Sequence, residues 1–149
     1  MTTRTVLVTD YAWASLAIEE EILADADVRL VVPSASDDDD ELVALAADAD
    51  AILTNWRRVP PAALDTASRC VGVARYGVGL DNIPVAHATT LGMVVCNVPD
   101  FCVEEVSDHA MALILSLARR VPHFDRATQA ARWDLGRERD RLPRLRGKT

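Results

Sequence analysis

Residues 71–96 read VGVARYGVGLDNIPVAHATTLGMVVC, and the order of residue types in this stretch decides the fold. Val71 to Ala74 is a short run of small and β-branched residues without polar alternation, the pattern of a strand buried on both faces. It runs into a loop carrying Gly77 and Gly79. Pro84 then suits the first turn of a helix, and Gly92 suits the position just past its end. Met93 to Cys96 is a second short apolar run. Strand, helix and strand of these lengths form a βαβ crossover, whose two strands must be parallel.

The same alternation extends toward the N-terminus. Val6 to Thr9, Leu30 to Val32 and Ala51 to Thr54 supply three more strands. Between the first two, Leu16, Ile18, Ile22 and Leu23 sit among Glu19, Glu20 and Glu21, which predicts an amphipathic helix over residues 15–24. Asp37 to Asp40 looks like a metal-binding cluster. However, Asp38 and Glu41 have capping-box spacing ahead of Leu42, Leu45 and Ala46, and no His or Cys stands near to complete a cation site. The run is read as a helix start, and no metal is expected. Pro60 and Pro61 open a further helix that ends near Ser68. The fold expected for residues 1–100 is therefore α/β and flavodoxin-like, a parallel five-stranded sheet with helices on both faces. Residues 101–149 form an extension. Its helix is apolar at Val103, Val106, Ala110, Leu113, Ile114 and Leu117, while Met111, Ala112 and Leu115 fill the other faces. Such a helix needs cover from another domain or subunit.

Composition narrows the function classes. A chain of 149 residues, 50% hydrophobic, can bury one good core. The longest apolar stretch, Ala110 to Ala118, falls far short of the ~20 residues of a membrane span. The N-terminus carries neither a basic stretch nor an apolar signal core, so a cytoplasmic protein is expected. Cys70, Cys96 and Cys102 form an odd set without a C-x-x-C pair, which suggests reduced thiols. The net charge of -7 is uneven: residues 1–118 hold 6 basic and 19 acidic groups, residues 119–149 hold 10 and 4. The basic end lacks interleaved aromatics beyond Phe124 and Trp133, and nucleic acid is not expected as a partner.

In an open parallel sheet, ligands bind beyond the carboxyl ends of the strands. The residues there are Asp10 and Tyr11, then Asn55, Trp56 and Arg57, then Arg75 to Asn82, then Asn97 to Asp100. Gly77 and Gly79 let the backbone turn sharply and present successive N–H groups to a carboxylate, to which Arg75 adds a charge-assisted contact. From the residues alone, a surface ion pair and ordinary turn glycines remain an alternative. The same stretch fails as a dinucleotide fingerprint, because Asn82 stands where the third glycine belongs. A P-loop is absent, the only lysine being Lys148. A phosphate-accepting receiver is rejected, since the matching strand ends offer Asp10, Asn55 and no lysine. His87, His109 and His123 lie outside the strand-end loops and form no zinc or nucleophile constellation.

Several linked motifs resemble the NAD-dependent D-2-hydroxyacid dehydrogenases: residues 73–83 (VARYGVGLDNI), Leu91-Gly92, Cys96-Asn97-Val98-Pro99, Val103-Glu104-Glu105 and Asp108-His109-Ala110. That family includes phosphoglycerate, glycerate and formate dehydrogenases and the C-terminal-binding-protein corepressors. The resemblance implies that Arg75 and the amides of Gly77, Val78 and Gly79 face the carboxylate of a small 2-oxo or 2-hydroxy acid. It implies that Asn97 helps hold that loop, with Asn55 and Trp56 also at the substrate. Val78 and Val106 match positions near the nicotinamide of NAD, and residues 103–118 match the helix that pairs subunits in a homodimer. Arg132-Trp133 through Thr149 resembles an arm leading into a Rossmann domain that these residues do not include, and the family's catalytic Arg, Glu and His would lie there. Whether Arg57 or Arg58 supplies a further substrate contact is open. The alternative within the family is a corepressor-like dimeric binding protein without metabolic turnover. A third possibility is a 149-residue product with only a structural role.

Overall fold

The computed structural model describes residues 3–34, 38–133, 142 and 144–148. Five strands, Arg4–Val8 (β1), Val28–Val31 (β2), Ala51–Thr54 (β3), Gly72–Arg75 (β4) and Val94–Cys96 (β5), alternate with four helices, Ala17–Leu23 (α1), Asp39–Ala46 (α2), Pro61–Thr66 (α3) and Val85–Thr90 (α4). The strands form one all-parallel sheet in the order β2-β1-β3-β4-β5. The expected α/β architecture is therefore the observed one. The chain divides into two compact units, Met1–Phe101 and Cys102–Thr149.

The core of the first unit joins Leu7, Ile52 and Val73 from the strands to Leu42 and Ala46 of α2, Ala63 and Leu64 of α3, and Ala88 of α4. Each fully buried Leu or Ile contributes about 1.5–3 kcal/mol. Right-handed crossovers explain this grouping. The connections from β2 through β5 all travel in one direction across the sheet and put α2, α3 and α4 on one face, whereas β1 to β2 runs the other way and puts α1 opposite. That opposite helix departs from expectation: α1 contains no buried residue, and Ile18 and Ile22 are 69% and 74% exposed. Of its apolar stripe, Ile18 and Ile22 are uncovered and Leu23 is half-buried. Only Leu16, at the N-cap, is buried.

Two local devices also differ from the simplest reading. Asp38 does cap α2, but through the N–H of Asp40 at 2.9 Å, and Glu41 reaches back to the backbone N–H and hydroxyl of Ser34 at 2.9 and 2.8 Å. The reciprocal half of the capping box is thus replaced by a link to the segment after β2. At Gly72 a β-carbon would stand 2.7 Å from the Val94 carbonyl oxygen, so β4 and β5 can pair there only because residue 72 has none.

The second unit holds Val103–Ala118 (α5) and Val121–Gln129 (α6). No residue of α5 is buried. Pro122 stands in the first turn of α6. Most of the arm after Trp133 lies outside the described residues. Among the described residues, no helix is long and apolar enough to cross a membrane.

Candidate functional site

The connections leave β1 and β3 in opposite directions, so a crevice opens between their carboxyl ends. A cleft of about 710 Å³ lies there, with Asp10, Tyr11, Val32, Trp56, Arg57 and Arg58 in its lining. Asp10 follows β1 directly. Its carboxylate accepts the N–H groups of Asn55 (2.9 Å), Trp56 (2.7 Å) and Arg57 (3.1 Å) and the Thr9 hydroxyl (2.9 Å). Burial raises the pKa of this group, but the four donors outweigh burial and hold it below the ordinary carboxylate value. Asp10 therefore acts as an internal anion that organises the loop after β3. Arg57 is turned to the start of α2, donating to the Asp38 carbonyl at 2.6 Å with Asp39 3.8 Å away. Arg58 is exposed and forms no hydrogen bond or ion pair among the described residues.

Arg75 lies across the other half of the strand-end edge. Its Nε donates to the Asn55 carbonyl at 3.0 Å, and its Nη1 donates to the Gly79 carbonyl and lies 3.6 Å from Asp81 Oδ1. The Arg75 side chain is 15% exposed, and its Nη2 donates to no described residue. The N–H groups of Gly77, Val78 and Gly79 likewise have no acceptor among the described residues. From β5, the Asn97 side chain donates to the Val78 carbonyl at 2.7 Å, and the Val98 N–H donates to the Gly77 carbonyl at 3.0 Å. One guanidinium edge and three consecutive amides thus remain available beside a loop fixed from both sides. That arrangement can take a small carboxylate.

The reason for the glycines differs from the one expected. Neither Gly77 nor Gly79 has a positive φ, so no sharp left-handed turn occurs. Gly79 is small because a β-carbon there would meet Arg75 Nη1 at 2.7 Å. Between them and Arg75 stands Tyr76, whose ring meets Trp13 edge-on at 4.8 Å, with Tyr11 5.9 Å from Trp13. The Tyr76 hydroxyl is buried. Glu19 lies beside it, and among the described residues neither Tyr76 Oη nor Glu19 Oε2 has a partner in good hydrogen-bond geometry. Burial first, then the Glu19 charge, raises the Tyr76 pKa well above that of an ordinary phenol.

Of the residues singled out by sequence, Arg75 is hydrogen-bonded to Gly79 and to the Asn55 backbone, Asn97 to Val78, and Gly77 to Val98 beside Asn97. Trp56 lies at the cleft and is 71% exposed. The cleft and the Arg75 loop are thus separate features linked through Asn55: the loop gathers Arg75 Nη2 and three amides with no acceptor among the described residues, whereas the cleft offers the Arg58 guanidinium. Val106 belongs to α5 in the second unit. Among the described residues no His, Cys, Asp or Glu cluster could hold a metal. The described residues also do not fit a dinucleotide: the glycine pattern is broken at Asn82, whose side chain is committed to the loop after β3. The sequence reading missed the roles of Asp10 and Asn82. The available signal was an Asp directly after a buried strand, placed to meet the next loop's amides.

Fold and site define an α/β domain with a loop of uncommitted N–H donors at the carboxyl edge of a parallel sheet. Residues 6–138 match the family described as D-isomer specific 2-hydroxyacid dehydrogenase, catalytic domain, and the chain belongs to that family. It is 37% identical over 97 residues to a D-3-phosphoglycerate dehydrogenase of Mycobacterium tuberculosis, covering 64% of this chain and 18% of the relative. It is 39% identical over 87 residues to a glyoxylate reductase of Pyrococcus furiosus, covering 58% and 26%. A solved NADPH-dependent glyoxylate/hydroxypyruvate reductase from Sinorhizobium meliloti, in complex with NADP and malonate, superposes with a TM-score of 0.67 at 26% identity, covering 89% of this chain and 40% of that one. The matched segments thus make up about a quarter or less of these curated relatives and two fifths of the solved structure.

Proposed function

We propose that this chain is the substrate-recognising part of an NAD(P)-dependent oxidoreductase that transfers a hydride between the nicotinamide and a small 2-hydroxy or 2-oxo acid. The observation that carries the reading is the set of free donors at one loop: Arg75 Nη2 and the amides of Gly77, Val78 and Gly79. The names of the relatives support it, since glyoxylate and hydroxypyruvate are both small 2-oxo acids. In this reading Arg75 and the three amides hold the substrate carboxylate, Asn97 braces the loop, and Asn55 and Trp56 border the substrate. Val78, 46% exposed, and Val106, 65% exposed, offer apolar surface to a nicotinamide whose dinucleotide is held elsewhere. The α5 helix pairs two copies of the protein.

The test is oxidation of NADH or NADPH by the intact protein that contains this chain, against glyoxylate, hydroxypyruvate and its phosphate ester. Turnover with at least one is expected. A charge-assisted hydrogen bond contributes about 1.5–3 kcal/mol, so Arg75→Ala should lower kcat/KM by about tenfold or more. Absence of turnover across the panel would sink the oxidoreductase reading, and unchanged constants in Arg75→Ala would sink the carboxylate assignment. NAD(H)-dependent dimerisation without any turnover would instead favour the corepressor-like role.

A further inference from the structure

Asn82 stands where a dinucleotide fingerprint would carry its third glycine, and it is only 8% exposed. Its side-chain nitrogen has two hydrogens, and two backbone carbonyls face it: Arg57 at 2.9 Å and Asn55 at 3.3 Å, with Thr54 Oγ1 at the limit of range, 3.5 Å away. Its backbone carbonyl accepts the Val59 N–H at 2.9 Å. The loop after β3 is thus gripped by Asn82 along its carbonyls and by Asp10 along its amides. The grips converge on Asn55, whose N–H is held by Asp10 at 2.9 Å and whose carbonyl is held by Asn82. That same carbonyl accepts Nε of Arg75 at 3.0 Å.

We infer that Asn82, together with Asp10, is a positioning residue for Arg75: the pair fixes the Asn55 carbonyl, and the carbonyl fixes the guanidinium with Nη2 left over for a ligand. The inference rests on the reading of Arg75 as a carboxylate contact, and it assigns work to two residues that touch no substrate. The physical reason is preorganisation. An arginine free to rotate loses that freedom on binding, whereas one already held through Nε and Nη1 has lost it on folding. Asn55 is well suited to this relay because its carbonyl can accept two donors at once.

Nitrogen-15 NMR of the 149-residue chain tests this with two readouts. One is exchange of the Arg75 Nε–H with water, which needs no ligand. The other is a titration with oxalate, a planar dianion resembling a 2-oxo acid, followed at the amides of Gly77, Val78 and Gly79. In Asn82→Ala, with the sheet amides still dispersed, Nε–H exchange should quicken about tenfold and the oxalate Kd should rise about tenfold, the scale of one hydrogen bond to a charged group. Asp10→Asn keeps the side-chain shape and should move both readouts in the same direction by less. If Asn82→Ala does not fold, Asp10→Asn decides alone. Unchanged Nε–H exchange in a folded variant overturns the inference, whatever happens to oxalate. A wild-type chain that ignores oxalate while its Nε–H exchange still responds to Asn82→Ala overturns the carboxylate reading and leaves the positioning role standing.

Discussion

At Gly79 a β-carbon would stand 2.7 Å from Arg75 Nη1 and 2.9 Å from Asp81 Oδ1, whereas at Gly77 the nearest atom would be Arg75 Nε at an ordinary 3.8 Å. Neither glycine has a positive φ, so backbone strain does not separate them. What separates them is whether the arginine tip can stay in place. The tip is flexible in principle and would yield to a methyl group, so Gly79→Ala should change unfolding free energy by no more than about 1 kcal/mol. It should nevertheless weaken oxalate binding about tenfold, because Arg75 loses its contact with the Gly79 carbonyl. Gly77→Ala should bind within about threefold of wild type. Equal losses in the two variants would mean that the loop needs glycine for a reason other than room for Arg75. The residue types at this loop were legible in the sequence, since an arginine and two glycines after a buried strand suggest anion binding. The division of labour was not, because it depends on where one guanidinium nitrogen comes to lie.

Elements were legible to the extent that their residues are locally self-sufficient. The strands starting at Ala51, Gly72 and Val94 are short, mostly apolar runs, and they appear within a residue or two of the expected places. Helices whose burial depends on the rest of the molecule were harder. The apolar stripe of α1 predicted an inward face, and Ile18 and Ile22 lie exposed. In α5 the apolar residues go all round, and all of Val103, Val106, Met111, Leu113, Ile114 and Leu117 are at least half exposed. Exposed apolar surface on that scale is what a subunit or domain interface would cover. If α5 pairs two copies, sedimentation equilibrium of the wild-type chain will show a concentration-dependent dimer, and Ile114→Glu with Leu117→Glu will shift it to monomer without altering its circular dichroism. A wild-type chain that stays monomeric at every concentration measured refutes pairing through this helix.

Across the whole molecule, two groups at the strand-end edge tie stability to pH from opposite sides. Asp10 has its pKa lowered in the folded state, because three backbone N–H groups and the Thr9 hydroxyl outweigh its burial. Its contribution is therefore complete above the unfolded-chain value of about 3.9 and is lost as pH falls through the lower folded value. Tyr76 has its pKa raised, chiefly by burial and then by Glu19, so the folded state keeps its proton where the unfolded chain gives it up. Its contribution is complete below about pH 10 and is lost as pH rises beyond that. Urea unfolding measured across pH should thus give a plateau with an acid limb that Asp10→Asn flattens and an alkaline limb that Tyr76→Phe flattens. The two variants should differ on the plateau itself. Asp10→Asn loses a charge accepting several hydrogen bonds and should cost about 1.5–3 kcal/mol there. Tyr76→Phe removes a buried hydroxyl that has no partner in good hydrogen-bond geometry among the described residues, so it should leave the plateau unchanged or raise it. A loss of more than about 1 kcal/mol in Tyr76→Phe near neutral pH would show that the hydroxyl is partnered in solution, and that Glu19 holds the Arg75 loop through it instead of merely lying beside it.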